Sequence, residues 1–225
     1  MLAIKATLPT KNLPINRILS KLFQSFIYHT LEDKEHQGYK HSNGKVFKAM
    51  NFKILYKDNQ ILAKFVALDK KNEEVLAKKI LLDELKLGEI HITQTDLSLT
   101  KRDQKQFSTI KVDGFISCAI KDGKSSKKIY LEPKSNKFQE ILYNNTIQKY
   151  EALFGKSYSG TLNIKLVNQK PRPKIFYYSK GAIKAWFGVY EIEADSDILN
   201  MILDTGMGAD AMKGLGFVEI IRKPI

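Results

Sequence analysis

Residues 206–217 read Gly206-Met207-Gly208-Ala209-Asp210-Ala211-Met212-Lys213-Gly214-Leu215-Gly216-Phe217, just before a short final apolar run. The stretch holds two Gly-x-Gly pairs separated by five residues. Glycine accepts a positive φ, and without a Cβ it lets a polyanion approach the backbone N–H groups. The stretch therefore predicts a contact site for a phosphate chain near the C-terminal end of the sequence.

The chain is basic along its whole length. Its 225 residues include 37 Lys and Arg against 24 Asp and Glu, which gives a formal net charge of +13. Hydrophobic residues make up 43% of the sequence, and the length allows one large domain or two domains of roughly 100 residues. A Lys-rich surface also serves solubility, but an excess of positive charge in both halves favours a nucleic-acid partner over that explanation.

The cysteine content and the hydropathy pattern indicate the surroundings of the protein. Cys118 is the single cysteine and lies in an apolar run, so we expect a small core residue and neither a disulfide nor a cysteine metal site. No apolar run approaches the roughly 18 residues that span a bilayer. The alternating pattern of residues 2–8 is typical of a strand rather than a signal peptide. We therefore expect a cytoplasmic protein without membrane contact.

The first hundred residues alternate between strand and helix patterns. Apolar residues from Ile15 to Ile27 recur at helical spacing, and Asn72 can cap a second helix that runs to about Leu85 and is ended by Gly88. Strand patterns with a turn at 57–59 occupy residues 2–8, 45–56, 60–69 and 89–95. The order β-α-β-β-α-β is that of a ferredoxin-like domain.

The same order returns after a charged segment. Residues 101–106 are typical of a linker, so the sequence predicts domains at 1–100 and 107–225. In the second domain the sequence predicts a long helix from Ser135 to about Phe154 with Gly155 just after its end, and Ser196 can cap a shorter helix. Strand patterns occupy residues 107–120, 128–131, 161–167, 174–178, 182–192 and 217–221. The sequence thus predicts an α+β chain of two tandem ferredoxin-like (RRM-like) domains, with antiparallel sheets covered by helices.

The motifs of metal-dependent nucleases and nucleotide-binding enzymes are missing from the sequence. It has no H-x-E, no C-x-x-C, no P-loop and no spaced carboxylates for Mg²⁺. If the chain cuts nucleic acid, we therefore expect chemistry without a metal or another cofactor. RNA allows this, because its 2′-OH can attack the adjacent phosphate. Such a reaction needs a proton acceptor, a proton donor and a cation for the phosphorane charge.

One stretch near the N-terminus supplies all three kinds of group, in Tyr28, His36, Lys40, His41, Lys45 and Lys48. Residues 31–44 show no period and read as a loop, where reactive side chains are often found. At about 100° per residue Tyr28 lies opposite the apolar stripe of its helix, so we expect it to face outward, whereas His29 lies on the flank and should pack. The alternative is that the loop histidines are solvated and idle.

Three segments together resemble a known family. The spacing Gly-x-Gly-x5-Gly-x-Gly of residues 206–216 is similar to the C-terminal glycine-rich loop of the CRISPR-associated endoribonucleases that process repeat RNA into guide RNAs. Ser25-Phe26-Ile27-Tyr28, a loop histidine followed by glycine, and Lys45-Val46-Phe47 resemble the segment in which that family places its active site. Residues 185–192, Ala-Trp-Phe-Gly-Val-Tyr-Glu-Ile, resemble the strand before its last helix.

The resemblance implies tandem ferredoxin-like domains and metal-independent cleavage of repeat RNA that leaves a 2′,3′-cyclic phosphate and a 5′-hydroxyl. Carried over by position, the catalytic residues would be His36, Tyr28 and Lys45, with His41 as the rival histidine. Which of His36 and Tyr28 takes which proton stays open.

RNA is the partner that the resemblance implies, with Gly206, Gly208, Lys213, Gly214 and Gly216 as the RNA-binding residues. Ala211-Met212 departs from the small polar residues usual in the middle of that loop, so we expect contacts from backbone N–H groups and Lys213. Whether the protein forms a homodimer or joins a CRISPR effector complex stays open.

Two other functions remain alternatives. The first is a non-catalytic RNA-binding protein of the same fold, in which Phe176-Tyr177-Tyr178 could stack bases. The second is a basic scaffold protein with no role in RNA biology.

Overall fold

The first sheet is built from strands that alternate buried and exposed residues. The computed structural model describes residues 1–8, 13–102, 106–123, 127–179 and 181–221. Up to residue 100 its elements are β1 Leu2–Thr7, a 3₁₀ turn at Leu13–Arg17, α1 Leu19–Thr30, α2 Asp33–Gln37, β2 Tyr39–Lys40, β3 Val46–Phe47, β4 Met50–Lys57, β5 Gln60–Ala67, α3 Lys71–Asp83, β6 Leu85–Leu87, β7 Ile90–Ile92 and β8 Thr95–Leu99.

The four long strands of this half pair in the antiparallel order β4-β5-β1-β8. Ile4, for example, pairs with Ala63 on one side and with Leu97 on the other. Helices α1 and α3 cover one face, where Leu2, Ile4 and Ala6 are buried. If β1, β4, β5 and β8 are numbered 1 to 4 in chain order, their order across the sheet is 2-3-1-4. This is the order of a ferredoxin-like sheet.

The second half repeats this arrangement. Its elements are β9 Thr109–Ile116, β10 Ala119–Lys121, β11 Lys128–Tyr130, α4 Asn136–Phe154, β12 Leu162–Leu166, β13 Arg172–Tyr178, β14 Gly181–Ala194, α5 Ser196–Thr205, a 3₁₀ turn at Ala211–Lys213 and β15 Val218–Ile220. Strand β14 lies between β9 and the successive edge strands β12 and β13, and β15 pairs with the far side of β9. The predicted fold class is confirmed.

Local sequence signals account for several boundaries. Asp58 and Asn59 both have positive φ, which suits the tight hairpin turn between β4 and β5. The Ser135 hydroxyl accepts a hydrogen bond from the Phe138 N–H at 3.3 Å, and Gly155 follows α4 in the left-handed region with φ of 67°. Helix α5 begins at Ser196 itself, one residue earlier than a cap at that position predicts, and its N-cap residue is Asp195.

The structure differs from the predicted elements in two places. Residues 31–44, predicted as a loop, contain α2 and the first strand of the β2–β3 hairpin. Helix α3 ends at Asp83, and Gly88 lies in the turn of the β6–β7 hairpin rather than at the helix end. The fourth strand of the first sheet is β8, and not the predicted strand 89–95. Residues 90–92 form β7 of the hairpin, and Leu85, Leu87 and Ile92 of that hairpin are buried in the core.

The two halves are joined by buried and charged contacts. Met212, from the C-terminal glycine stretch, is buried in the hydrophobic core of the first half. Asp204 on α5 is buried and pairs with Lys70 and Arg102. Of the predicted linker, residues 103–105 lie outside the described part of the chain. Within the described ranges, no helix is long and apolar enough to cross a membrane.

Candidate active site and glycine-rich loop

Tyr28 and His36 stack on each other. Tyr28 lies in the last turns of α1, and the short helix α2 folds back so that the His36 ring lies 4.4 Å from the Tyr28 ring, centroid to centroid, at an interplanar angle of 30°. Gly38 ends α2 with φ of 79°, and a Cβ there would lie 2.6 Å from the Phe47 carbonyl oxygen. Only glycine therefore lets the chain turn closely under the β2–β3 hairpin and return towards α1.

Lys48 completes this group. Its Nζ lies 5.5 Å from the centre of the Tyr28 ring and donates a hydrogen bond to the His36 carbonyl oxygen. Burial lowers the pKa of Lys48 from its ordinary value, and the nearby Glu35 carboxylate opposes that change. A partly desolvated cation next to an imidazole and a phenol is well placed to stabilise an oxyanion. We name Tyr28, His36 and Lys48, as candidates for catalysis, the catalytic cluster.

The surroundings of Tyr28 favour the protonated form of its phenol. Burial raises its pKa to about 12, against a hydrogen bond from the Gln24 side chain that lowers it. The phenol therefore stays protonated near neutral pH. The prediction that Tyr28 faces outward is only partly correct, because its ring also packs against the hydrophobic core of the first half. His29, predicted to pack, is exposed, with Nδ1 2.6 Å from the Ser25 carbonyl oxygen.

His41 and Lys45 contact α4 of the second half instead. His41 Nε2 lies 2.8 Å from Glu151 Oε2, and this contact is the main cause of its raised pKa. Lys45 Nζ donates to Gln148 Oε1 at 2.8 Å and to Asn145 Oδ1 at 3.2 Å. The structure thus brings His36 to Tyr28 and directs the rival histidine and the predicted lysine to the domain interface. Sequence reasoning named Lys48 only as one of several nearby cations.

The glycine-rich loop, residues 206–217, is tightly packed. Its four glycines all have positive φ, between 71° and 84°. A Cβ on Gly216 would lie 2.1 Å from the Met207 carbonyl oxygen, and a Cβ on Gly206 would lie 1.9 Å from Asn51 Nδ2. Each glycine position therefore has a conformational reason that is independent of any ligand.

Several N–H groups of the loop are engaged within the protein. The Met207 N–H donates to the Gly216 carbonyl at 2.8 Å, and the Gly216 N–H donates to the Phe115 carbonyl at 2.8 Å. The Ala209 N–H donates to the Ser117 carbonyl at 2.9 Å. Gly208 and Gly214 remain partly exposed, whereas Gly206 and Gly216 are buried. Only part of the loop backbone can therefore face a ligand.

Lys149 donates hydrogen bonds to the backbone at the start of the glycine-rich loop. It is buried in α4, and its Nζ donates to the Gly206 carbonyl at 2.7 Å and to the Thr205 carbonyl at 3.2 Å. Burial lowers the pKa of Lys149 to about 7. The carbonyls at the C-terminal end of a helix attract a cation, which explains why a lysine is placed there.

Lys213 and Tyr178 connect the loop to α1. Lys213 Nζ lies 2.6 Å from Asp210 Oδ1 and 5.4 Å from the centre of the Tyr178 ring. The Tyr178 hydroxyl donates to Gln24 Oε1, and Gln24 lies on α1 one turn before Tyr28. Sequence reasoning missed Gln24. Its spacing of four residues from Tyr28 was visible, but its contact with Tyr178, 154 residues away, was not.

The described ranges contain no group of three His, Cys, Asp or Glu side chains that could hold a metal ion. His91 is more than half exposed, and its Nδ1 lies 3.9 Å from the Glu84 carboxylate beside the β6–β7 hairpin.

The solved structures that share this fold include the following three. A Cas6-related protein of Pyrococcus furiosus is 16% identical with a TM-score of 0.70, and the alignment covers 99% of each chain. A protein described as a RAMP protein binding different RNA substrates is 14% identical with a TM-score of 0.69, covering 98% of this chain and 99% of the other. A Cas6 product complex is 12% identical with a TM-score of 0.69, covering 98% of each. At these identities the likeness establishes the fold.

A search of curated protein sequences gives no match. The family model for the C-terminal part of CRISPR-associated protein Cas6 matches residues 98–220, which include β9 to β15 and the whole glycine-rich loop. Since this match covers more than half of the chain, the protein belongs to the CRISPR-associated Cas6 family.

Proposed function

We propose that the protein is an endoribonuclease that cuts CRISPR repeat RNA without a metal ion, by attack of the 2′-OH on the adjacent phosphate. The observation that carries the proposal is the catalytic cluster, in which a phenol on α1, an imidazole on α2 and a cation between β3 and β4 lie together. Its support is membership of the Cas6 family. The products would be a 2′,3′-cyclic phosphate and a 5′-hydroxyl.

Each group has a role that fits its chemistry. His36 takes the proton from the 2′-OH, because histidine accepts protons near neutrality. Tyr28, kept protonated by its raised pKa, donates to the leaving 5′ oxygen. Lys48 stabilises the phosphorane, a role that Lys45 fills less well because its Nζ contacts the amides of α4.

The test is cleavage of the cognate repeat in excess EDTA. We expect the wild type to cut once and to leave a cyclic phosphate, and we expect His36→Ala to cut about 10² to 10⁴ times more slowly while its affinity changes little. Tyr28→Phe should resemble His36→Ala. A strict requirement for Mg²⁺, or loss of cleavage in His41→Ala but not in His36→Ala, contradicts the proposal.

We also propose that the glycine-rich loop contacts the RNA backbone, through Lys213 and the partly exposed Gly208 and Gly214. Lys213→Ala should weaken binding several-fold for any RNA sequence and lower the slope of log K against log salt by about one. An unchanged salt slope contradicts this role.

A non-catalytic RNA-binding protein is the second candidate. It is favoured by the cations that lie against aromatic rings on the second sheet, where Lys174 lies 5.5 Å from the centre of Phe115 and 5.2 Å from the centre of Phe176. Such pairs can hold a phosphate beside a stacked base. A repeat that is bound tightly and stays whole after prolonged incubation supports this candidate.

A further inference from the structure

A pocket of about 310 Å³ lies between α4, the β2–β3 hairpin and the segment at residues 158–160. One face of α4 lines it, since residues 143, 144, 147, 148 and 151 recur at helical spacing. His41 and Tyr158 line it from the hairpin and from the segment after α4. No residue of the catalytic cluster lines this pocket, which we name the α4 pocket, so the proposed cleavage does not account for it.

The walls of the α4 pocket are held by contacts within the protein. His41 Nε2 lies 2.8 Å from Glu151 Oε2. The Tyr158 hydroxyl donates to the Thr161 carbonyl at 2.7 Å, and the Tyr158 ring packs edge-on against Tyr150 with the ring centres 5.2 Å apart. A ligand therefore meets side chains that are already ordered, which lowers the entropy cost of binding.

The charges of the pocket suit a neutral ligand. His41 and Glu151 pair with each other, and the described residues that line the pocket include no lysine or arginine. A phosphate in the pocket would lie against the Glu151 carboxylate, which disfavours it. The pocket is therefore suited to a part of RNA other than its backbone.

The same residues suit a planar ligand with a polar edge. Tyr143 is 43% exposed, so its ring is available for stacking. Lys45 Nζ donates to Gln148 Oε1 at 2.8 Å, which leaves the Gln148 NH₂ group to donate to a ligand, while the Glu151 carboxylate can accept. An aromatic ring beside hydrogen-bonding side chains is the arrangement with which proteins hold an unstacked RNA base.

The α4 pocket lies close to the catalytic cluster along the chain. His41 is five residues after His36, and five residues of extended chain span at most roughly 18 Å. An RNA whose scissile phosphate lies at His36 can therefore place a nearby nucleotide at the pocket.

We propose that the α4 pocket binds one unpaired base of the RNA, close to the bond that is cut, between the Tyr143 ring and the side chains of Gln148 and Glu151. Because the Glu151 carboxylate accepts hydrogen bonds, the base should carry an exocyclic amino group, as adenine, cytosine and guanine do and uracil does not. The inference rests on the proposed function, which supplies the RNA, and adds a site that reads its sequence.

The test is a scan of the cognate repeat with one abasic residue at each position in turn. The nucleotide before the cut bond carries 2′-deoxyribose, which removes the attacking hydroxyl, so that affinity is measured on whole RNA. We expect one position near the cut at which the abasic residue weakens wild-type binding about tenfold, the order of effect of losing one base–aromatic stack. In Tyr143→Ala the same abasic residue should weaken binding less than about twofold, because the stack is already absent. Uracil at that position should weaken wild-type binding about fivefold.

The matched control is Phe154→Ala, because Phe154 is an aromatic residue of the same helix, is 40% exposed and does not line the pocket. It should keep the tenfold effect. Normal cleavage with no position whose effect disappears in Tyr143→Ala, or a uracil at that position in the cognate repeat, overturns the inference and leaves the proposed function standing. If the repeat is bound but never cut, the proposed function fails, and the same scan on unmodified ribose still decides the pocket. If no repeat is bound, both fail.

Discussion

The residues of the catalytic cluster show how one side chain acquires its role from its neighbours. Tyr28 would be an exposed phenol on an isolated α1. In the folded chain α2 covers it with His36, and Lys48 lies over its ring. Burial then keeps the phenol protonated, which makes it a donor. His36, exposed at its outer side, remains open to a substrate.

The two lysines of this region should separate in a cleavage assay. Lys48→Met should slow single-turnover cleavage about 10² to 10³ times, because one electrostatic stabiliser of the developing charge is lost. Lys45→Met should slow it less than about threefold, since the Lys45 ammonium group contacts Gln148 and Asn145 instead. Equal losses in the two variants contradict the assignment of the cation to Lys48.

At the level of elements, α4 supports both functional segments. On one side it binds His41 and Lys45 of the β2–β3 hairpin through Glu151 and Gln148. On the other, Lys149 holds the first carbonyl of the glycine-rich loop. The loop itself folds through glycines at positive φ that pack against backbone. Its shape is therefore set by packing before any ligand arrives.

Gly216→Ala should cost about 3 kcal/mol of unfolding free energy. A positive φ costs a residue with a Cβ roughly 1–2 kcal/mol, and the Cβ would lie 2.1 Å from the Met207 carbonyl oxygen, so the loop must move. Gly44→Ala is the control: its φ is also positive, at 86°, but no heavy atom of the described chain lies within 4 Å of the added Cβ. It should cost only about 1 kcal/mol in urea denaturation. Equal costs would show that the close approach is relieved easily.

The pair of His41 and Glu151 should make the packing of the β2–β3 hairpin on α4 depend on pH. The hydrogen bond to Glu151 raises the pKa of His41 above its unfolded value. The stabilisation is therefore fully present below about pH 6.5 and is lost as the pH rises through the folded value. Glu151→Gln should destabilise the protein more at pH 5.5 than at pH 8.5, as measured by urea midpoints. A cost that does not change between the two pH values contradicts a protonated His41.

At the scale of the whole molecule, the second half supplies side chains that pack into or pair with the first half. Met212 fills part of the first core, while Glu219, next to the loop, pairs with Lys53 and Lys64 of the first sheet. The active site and the RNA-binding loop that we propose therefore depend on the same interface.

Asp204→Asn should lower the free energy of unfolding by about 2 kcal/mol, because a buried carboxylate with two cationic partners loses its charge. Asp197→Asn, on the exposed face of the same helix, should change it by less than about 0.5 kcal/mol. Trp186 fluorescence reports the second half and circular dichroism the whole chain, so the two should give one coincident transition in both variants. Separate transitions would show that the halves unfold independently.

Local patterns in the sequence were enough to predict the fold class and most of its elements. Alternation in β1, the helical stripe of α1, the glycine after α4 and the hairpin turn at 57–59 each depend on neighbours within a few residues. Their repetition in the order β-α-β-β-α-β was therefore readable from the chain alone. The choice of His36 beside Tyr28 also came from the sequence, through the resemblance in that segment, and it stays a prediction.

The tertiary structure decided which partner each functional side chain meets. His36 and His41 are five residues apart in one segment, and nothing local says that the first stacks on Tyr28 while the second pairs with Glu151, 110 residues further on. The same holds for Lys48 over Lys45, for Gln24 beside Tyr178 and for Met212 in the opposite core. These contacts depend on how two sheets and their helices pack, and packing is set by the whole surface of each element rather than by the residues that carry the chemistry.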